Sequence, residues 1–169
     1  MAAINNTALR DIFVTGLRNA HAMESQAESL LQRQIERLDD FPDLKTRMQA
    51  HLEETRTQQS RLDRILSELG ESGSTLKDAA MSFMGNMAAA AHMPAQDEVL
   101  KNSLASFAFE NYETAAYKSL IAMAERLGAA TALPALQQSC KEEEAMAQFL
   151  ETNLDSVTQR FLDRYARAA

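Results

Sequence analysis

Apolar residues recur at alternating spacings of three and four along four long stretches of this sequence, a pattern typical of helices that bury one face. The first stretch carries it on Phe13, Leu17, Ala20, Ala27, Leu31, Ile35 and Leu38. The fourth carries it on Leu133, Leu136, Cys140, Ala147, Leu150 and Leu154. Five glycines and three prolines leave these stretches almost uninterrupted. The sequence therefore predicts an all-α fold.

Capping and helix-breaking residues give the limits of these helices. Asn6 or Thr7 can cap the first, Pro42 suits the first turn of the second, and Gly70 and Gly128 suit the positions after the second and third. The short link at Asp39, Asp40 and Pro42 predicts that helices 1 and 2 are antiparallel neighbours.

Two shorter segments complete the predicted topology. We interpret Glu71 to Pro94 as a short crossover helix whose methionines (Met81, Met84 and Met87) fill gaps in the core. Thr131 and Pro134 mark the start of helix 4. Asp155 or Ser156 can then cap a separate C-terminal helix containing Val157, Phe161, Leu162 and Tyr165.

Length and charge limit the classes of function. The 169 residues suit a single domain spanning 1–169. A net charge of −7 argues against a partner rich in phosphate, so we expect neither a nucleic-acid binder nor a protein of anionic membrane surfaces. No stretch approaches the roughly 20 apolar residues of a membrane-spanning helix. The single Cys140 and the absence of a leader pattern favour the cytoplasm.

Two carboxylates interrupt the apolar pattern of the third stretch. Glu110 lies on the face defined by Phe107, Thr114, Tyr117 and Ile121, and Glu113 lies beside it. A carboxylate removed from water needs a cation, hydrogen-bond donors or a shifted pKa, because the penalty is on the order of several kcal/mol per ion. Each of the other long helices has a similar anomaly near its middle.

Glu24 fills the skipped position of helix 1, His51 and Glu54 lie three residues apart in helix 2, and Glu143 is the one charged residue in the pattern of helix 4. Alone, Glu24 would be read as a solvated residue and His51 as a hydrogen-bonded core histidine. In an antiparallel four-helix bundle, however, all these residues meet at one level. The cluster would then share protons with raised pKa values or hold two divalent ions. Oxygen-rich ligands with one imidazole favour iron or manganese, with zinc possible.

Four segments carry a resemblance to a known family: His21-Ala22-Met23-Glu24, His51-Leu52-Glu53-Glu54-Thr55, Phe109-Glu110-Asn111-Tyr112-Glu113-Thr114-Ala115-Ala116-Tyr117, and Glu142-Glu143. They resemble the YciE/YciF stress-protein family of ferritin-like bundles, over most of the chain. The resemblance implies a ferritin-like bundle, a di-metal carboxylate site with iron as the first choice, and a link to bacterial stress responses.

The chain departs from the usual ferritin-like signature, Glu-x-x-His on two helices. Helix 2 reads His51-x-x-Glu54, helix 3 reads Glu110-x-x-Glu113, and helix 4 has Met146 where that signature has histidine. His21 is then a candidate extra ligand or a donor to Glu24, while His51 remains the first choice of nitrogen ligand.

Two functions are compatible with these residues. In the first, the site oxidises ferrous ion or consumes oxygen or peroxide, and Tyr117 is the candidate catalytic residue. The alternative for Tyr117 is a packed core tyrosine with a satisfied hydroxyl, which we favour. In the second, the protein is a structural or protective bundle whose metal site only stabilises it. A homodimer through outer helical faces is expected in either case.

Overall fold

The computed structural model describes residues 6–71 and 97–168 of the chain. These residues form four helices, which we label α1 (Asn6–Ile35), α2 (Pro42–Glu68), α3 (Glu98–Leu127) and α4 (Leu133–Ala168). No strand occurs in these two ranges. The all-α prediction is confirmed.

The helices pack as a bundle in which each one lies mainly against two neighbours. α1 contacts α2 and α3, and α4 contacts α3 and α2. Residues 36–41 join α1 to α2, and residues 128–132 join α3 to α4, so each of these pairs is antiparallel. The predicted four-helix bundle is thus confirmed, while the predicted crossover helix with its methionines lies outside the described residues.

Helix ends follow the residues that favour them. Gly70 has a φ of 75° and Gly128 a φ of 76°, a left-handed conformation that is strained for residues with a Cβ. Beyond Gly70, the Glu71 amide donates to the Leu66 carbonyl at 2.9 Å and so satisfies a carbonyl at the end of α2. Pro42 is the first residue of α2, as predicted.

The last helix corrects one prediction. α4 runs without interruption from Leu133 to Ala168, so Asp155 and Ser156 do not begin a separate C-terminal helix. No glycine or proline follows Pro134 to break the backbone. The Ser156 hydroxyl donates to the Asn153 carbonyl of its own helix at 2.9 Å instead of capping a new one.

The core consists of two apolar clusters separated by a polar level. One cluster contains Phe13, Leu17, Leu62, Leu120 and Leu136, among others. The second contains Leu31, Leu44, Met48, Met146 and Leu150, among others. Between them, the buried faces of the helices carry the acidic residues and the histidine that the sequence singled out. The bundle therefore buries its charges at mid-length, with apolar packing on both sides.

Hydropathy along the helices bears on membranes. Within residues 6–71 and 97–168, none of the helices has an apolar stretch of the length and purity needed to cross a bilayer.

Candidate metal centre

All four helices contribute an ionisable side chain to the polar level. Glu24 comes from α1, His51 from α2, Glu110 and Glu113 from α3, and Glu143 from α4; none is more than 3% exposed. Each lies on the buried face of its helix because it occupies a position three or four residues from buried neighbours. The structure thus brings together five of the six side chains that the sequence proposed as metal ligands.

His51 lies at the centre of the most compact group. Its Nε2 is 3.1 Å from Oε2 of Glu110 and 3.4 Å from Oε2 of Glu143. One ligand atom from each of these three residues lies within 4.8 Å of the other two, which is close enough for all three to bind one ion. The other ring nitrogen, Nδ1, is 2.9 Å from Oε2 of Glu54.

Burial and mutual repulsion raise the pKa of the interior carboxyl groups. Desolvation, together with the charges of Glu143 and Glu110, raises the pKa of Glu24 well above its usual value. Desolvation and the charges of Glu143, Glu24 and Glu110 do the same for Glu113. Desolvation raises the pKa of Glu143 to about 7, although the contact with His51 opposes the rise. These three groups therefore carry a strong tendency to hold protons.

The imidazole of His51 also holds its proton, but in doing so it becomes a cation. Burial alone would lower its pKa, but contacts with Glu110, Glu143 and Glu54 raise it to about 12. In the metal-free protein, His51 is therefore an imidazolium that supplies a positive charge between carboxylates. It neutralises part of the charge that a metal would neutralise.

Several carboxylate oxygens have no hydrogen-bond partner among the described residues. They are both oxygens of Glu113, Oε2 of Glu24 and Oε1 of Glu143. A buried polar atom left in this state costs roughly 1–3 kcal/mol, and more if charged. Free carboxylate oxygens beside one imidazole nitrogen are a donor set suited to iron or manganese. The residues present fit a divalent metal site.

Tyr117 belongs to the same polar level. Its side chain is fully buried, and its hydroxyl donates to Oε1 of Glu24 at 2.5 Å. Desolvation and the negative charge of Glu24 raise the pKa of Tyr117 well above its usual value, so the hydroxyl keeps its proton. Tyr117 is a packed tyrosine with a satisfied hydroxyl, and the partner that satisfies it is a candidate metal ligand.

Two predicted residues lie apart from the compact group. The Glu54 side chain is 34% exposed and accepts a hydrogen bond from Nη1 of Arg47 at 3.0 Å. Its contact with the compact group is to Nδ1 of His51, the ring nitrogen that faces away from Glu110 and Glu143. Nε2 of His21 lies 3.2 Å from Oδ1 of Asp63. The donor to Glu24 is therefore Tyr117, in place of the proposed His21.

Several polar residues near this level are hard to recognise from the sequence alone. Thr55 and Gln58 are fully buried on the His51 face of α2, at the same spacing as its buried apolar residues. Ser139 is 1% exposed, and Arg61 contacts it from α2. A serine next to Cys140 and an arginine beside Leu62 are ordinary helix residues in sequence, so only the packing identifies them.

The sequence matches the family model described as "Domain of unknown function (DUF892)" over residues 8–163. Protein YciF of Escherichia coli (strain K12) is 29% identical over 153 residues, which cover 84% of this chain and 87% of YciF. The crystal structure of the E. coli stress protein YciF has a TM-score of 0.74 at 24% identity, covering 94% of this chain and 99% of that one.

Two other solved structures are similar. A protein from Xanthomonas campestris pv. campestris has a TM-score of 0.78 at 28% identity, covering 94% of this chain and 99% of its own. YcfI from Rhodopseudomonas palustris has a TM-score of 0.70 at 30% identity, covering 85% of this chain and 93% of its own. These proteins share the helical-bundle fold over nearly their whole length.

Proposed function

This chain belongs to the DUF892 family of YciF-like helical bundles, and from that premise we propose that it is a di-metal carboxylate protein of the bacterial stress response. The observation that supports this most directly is the compact group of His51, Glu110 and Glu143, buried beside carboxylate oxygens that lack partners. Iron is the first choice of metal, and manganese or zinc are alternatives.

Charge supports two ions in place of one. Glu24, Glu110, Glu113 and Glu143 carry four negative charges when ionised, which two divalent cations balance. His51, Glu110 and Glu143 would hold one ion, and Glu24 and Glu113 would hold the second. Glu54 would support the site from outside by fixing the orientation of the His51 ring.

Two ferrous ions held together can each give one electron to oxygen or peroxide, and this is the chemistry that the site would supply. The chain itself provides an interior that excludes water from the carboxylates. Tyr117 holds one oxygen of Glu24, and the His51 ring is held by Glu54 at Nδ1 and by Glu110 and Glu143 at Nε2. The activity that follows is oxidation of ferrous ion with consumption of a small oxidant, in a protein that forms a homodimer through its outer faces.

A second candidate function is a structural bundle without turnover. The specific observation in its favour is that the His51 imidazolium already pairs with Glu110 and Glu143, so the interior has a cation of its own. A protective or structural protein could use the same residues to stabilise its fold, with or without metal.

An anaerobic iron titration separates these functions. We expect metal-free protein to bind about two ferrous ions per chain and then to consume oxygen or peroxide on exposure. Glu110→Ala should lose at least one ion and most of the consumption. Glu144→Ala is the matched control, because Glu144 is 47% exposed and pairs with Lys118 on the outside of the bundle.

The outcomes are distinct. Stoichiometric binding without consumption of oxidant would support the structural role. Absence of binding to wild-type protein, measured by elemental analysis after removal of free metal, would contradict the di-metal site itself.

A further inference from the structure

A series of hydrogen bonds leads from the bundle surface to Glu24. Nη1 of Arg61 donates to the Ser139 hydroxyl oxygen at 3.2 Å. Ser139 lowers the pKa of Tyr117, as a hydroxyl that donates to the phenol oxygen would, and the Tyr117 hydroxyl donates to Oε1 of Glu24 at 2.5 Å. Since Ser139 accepts from Arg61, its own proton is available for Tyr117, whose proton is directed to Glu24. Every donor in the series therefore points toward the candidate metal centre.

The outer end of the series is fixed by an ion pair. Arg61 binds Glu142 through two contacts, Nη1 to Oε2 at 2.5 Å and Nη2 to Oε1 at 3.0 Å. Glu142 also accepts hydrogen bonds from the side-chain amides of Gln58 at 3.0 Å and Gln138 at 2.9 Å. A guanidinium has no proton to lose near neutral pH and holds a two-point geometry with a carboxylate. The series thus begins at a permanent donor held in place.

The inner end leaves one carboxylate oxygen free. Tyr117 occupies Oε1 of Glu24, and Oε2 of Glu24 is buried with no hydrogen-bond partner in the described part of the chain. Helices α1, α2, α3 and α4 each supply one member: Glu24, Arg61, Tyr117 and Ser139. Ser139 is 1% exposed and Tyr117 is fully buried, so both contacts are shielded from bulk water.

We propose that Arg61 and Ser139 are positioning residues for the metal centre, which act through Tyr117 to hold Glu24 with Oε2 directed to the metal. This inference rests on the proposed function and extends it to residues beyond the ligands. The partners of ligating groups orient those groups, and their loss typically weakens metal affinity by about 10- to 100-fold.

Cobalt binding provides the test, because Co²⁺ is stable in air and its visible absorption reports coordination. We expect Tyr117→Phe to raise the Co²⁺ dissociation constant about 10-fold or more, and Ser139→Ala to raise it in the same direction by about 3- to 10-fold. The Tyr117→Phe/Ser139→Ala double variant should bind no more weakly than Tyr117→Phe alone, because Ser139 acts through the Tyr117 hydroxyl.

The matched control is Ser103→Ala. Ser103 is a buried serine of α3, 6% exposed, whose hydroxyl donates to the Val99 carbonyl of its own helix at 2.8 Å. Its substitution should leave Co²⁺ affinity unchanged. Circular dichroism and thermal melting of each variant verify that the bundle is folded.

A second measurement needs no metal. In a Tyr112→Phe/Tyr165→Phe background, Tyr117 is the only tyrosine, and its ultraviolet resonance Raman doublet reports whether the phenol oxygen accepts a hydrogen bond. We expect Ser139→Ala to change this doublet in metal-free protein, and Ser103→Ala to leave it unchanged.

Each outcome has a clear reading. If wild-type protein binds Co²⁺ and Ser139→Ala binds it equally well, the positioning role is contradicted while the proposed function stands. The role is also contradicted if Ser139→Ala leaves the Raman doublet unchanged, or if the Ser139 and Tyr117 effects are additive. If wild-type protein binds neither Co²⁺ nor Fe²⁺, the proposed function fails and the positioning role falls with it.

Discussion

The immediate surroundings of each glutamate determine what it can do. Glu54 and Glu113 each follow a proposed ligand by three residues, but their environments differ. Glu113 is 1% exposed and has no hydrogen-bond partner in residues 6–71 and 97–168, whereas Glu54 is half-buried and bonds Arg47 and His51. Glu113 is consequently destabilising unless a proton or a cation joins it, and Glu54 is not.

We therefore expect Glu113→Gln to stabilise the metal-free protein. A neutral amide of the same shape removes the cost of a buried carboxylate, and the gain at pH 8 should be roughly 1–3 kcal/mol. Urea unfolding in the presence of a chelator measures it. The exposed control Glu144→Gln should change stability by less than about 0.5 kcal/mol. A clear loss of stability in Glu113→Gln would contradict the absence of partners around this side chain.

Stability of the metal-free protein should fall as pH rises from about 5 to 8. The folded pKa of Glu143 is about 7 against 4.5 for the free side chain, and that of His51 is about 12 against 6.5. In this window the folded state therefore keeps protons that the unfolded state has lost. Each such proton contributes a slope of at most about 1.4 kcal/mol per pH unit against folding.

Urea midpoints at three pH values in chelator test this slope. Glu143→Gln should reduce the pH dependence of stability below pH 7, where Glu143 titrates, and should leave the contributions of His51, Glu24 and Glu113. Stability that rises between pH 5 and 8 would contradict the raised pKa of Glu143.

Individual site residues could be predicted from the sequence only where they broke a pattern. Glu24, His51, Glu110 and Glu143 interrupt apolar faces, and the structure buries all of them. The outward contact of Glu54 could not be predicted, because a residue three positions after His51 can lie on either edge of the helix face. Ser139 interrupts no pattern, so its buried contacts appear only once the helices pack.

At the scale of the helix, periodicity predicts the buried face to within about one residue. The predicted face of α3 ran through Phe107, Glu110, Tyr117 and Ile121, with Glu113 at its side. In the structure, Phe107 and Ile121 are only partly buried, and Glu113 is as buried as Glu110. Small residues at positions 105, 108 and 115 lie on the exposed side of α3, so apolar character alone marks its inward face poorly.

Helix ends were predictable where glycine or proline sets the backbone. Gly70, Gly128 and Pro42 stand where the sequence placed them because their conformational preferences are intrinsic. The division at Asp155 and Ser156 was wrong because such residues cap only where the backbone already turns, and nothing turns it there.

Ser156→Pro distinguishes one helix from two. In a continuous helix, proline removes a backbone hydrogen bond and clashes with the carbonyl four residues earlier, so we expect a loss of about 3 kcal/mol. In a separate helix capped by Asp155, the same proline would occupy a favourable first position. Thermal or urea unfolding measures the difference, with Ser156→Ala as the control. Equal stability of the two variants would contradict a continuous α4.

For the whole molecule, the charged level lies between two apolar clusters that must hold it together. Removing Glu24, Glu113 and Glu143 from water works against folding, while the clusters around Leu17 and Leu150 favour it. The buried carboxyl groups thus make the metal-free bundle less stable than it would be with neutral residues in their place. Sites selected for function often carry such a cost.

Metal binding should reverse this cost in the folded state. A ligand that binds only the native protein stabilises it by about 2.7 kcal/mol when its free concentration is 100 times the dissociation constant. For a chain of this size, the melting temperature should then rise by roughly 5–10 °C. Differential scanning calorimetry with Mn²⁺ or Co²⁺, followed by a chelator, measures the rise and its reversal.

Glu113→Gln should show the opposite balance in the same experiment. Without metal its melting temperature should exceed that of the wild type, because a buried carboxylate is gone. With metal, the rise in its melting temperature should be smaller than that of the wild type, because one proposed ligand is gone. The difference between the two melting temperatures should therefore shrink or change sign as metal is added. A variant that gains as much from metal as the wild type would contradict a ligand role for Glu113, even if the wild type binds metal tightly.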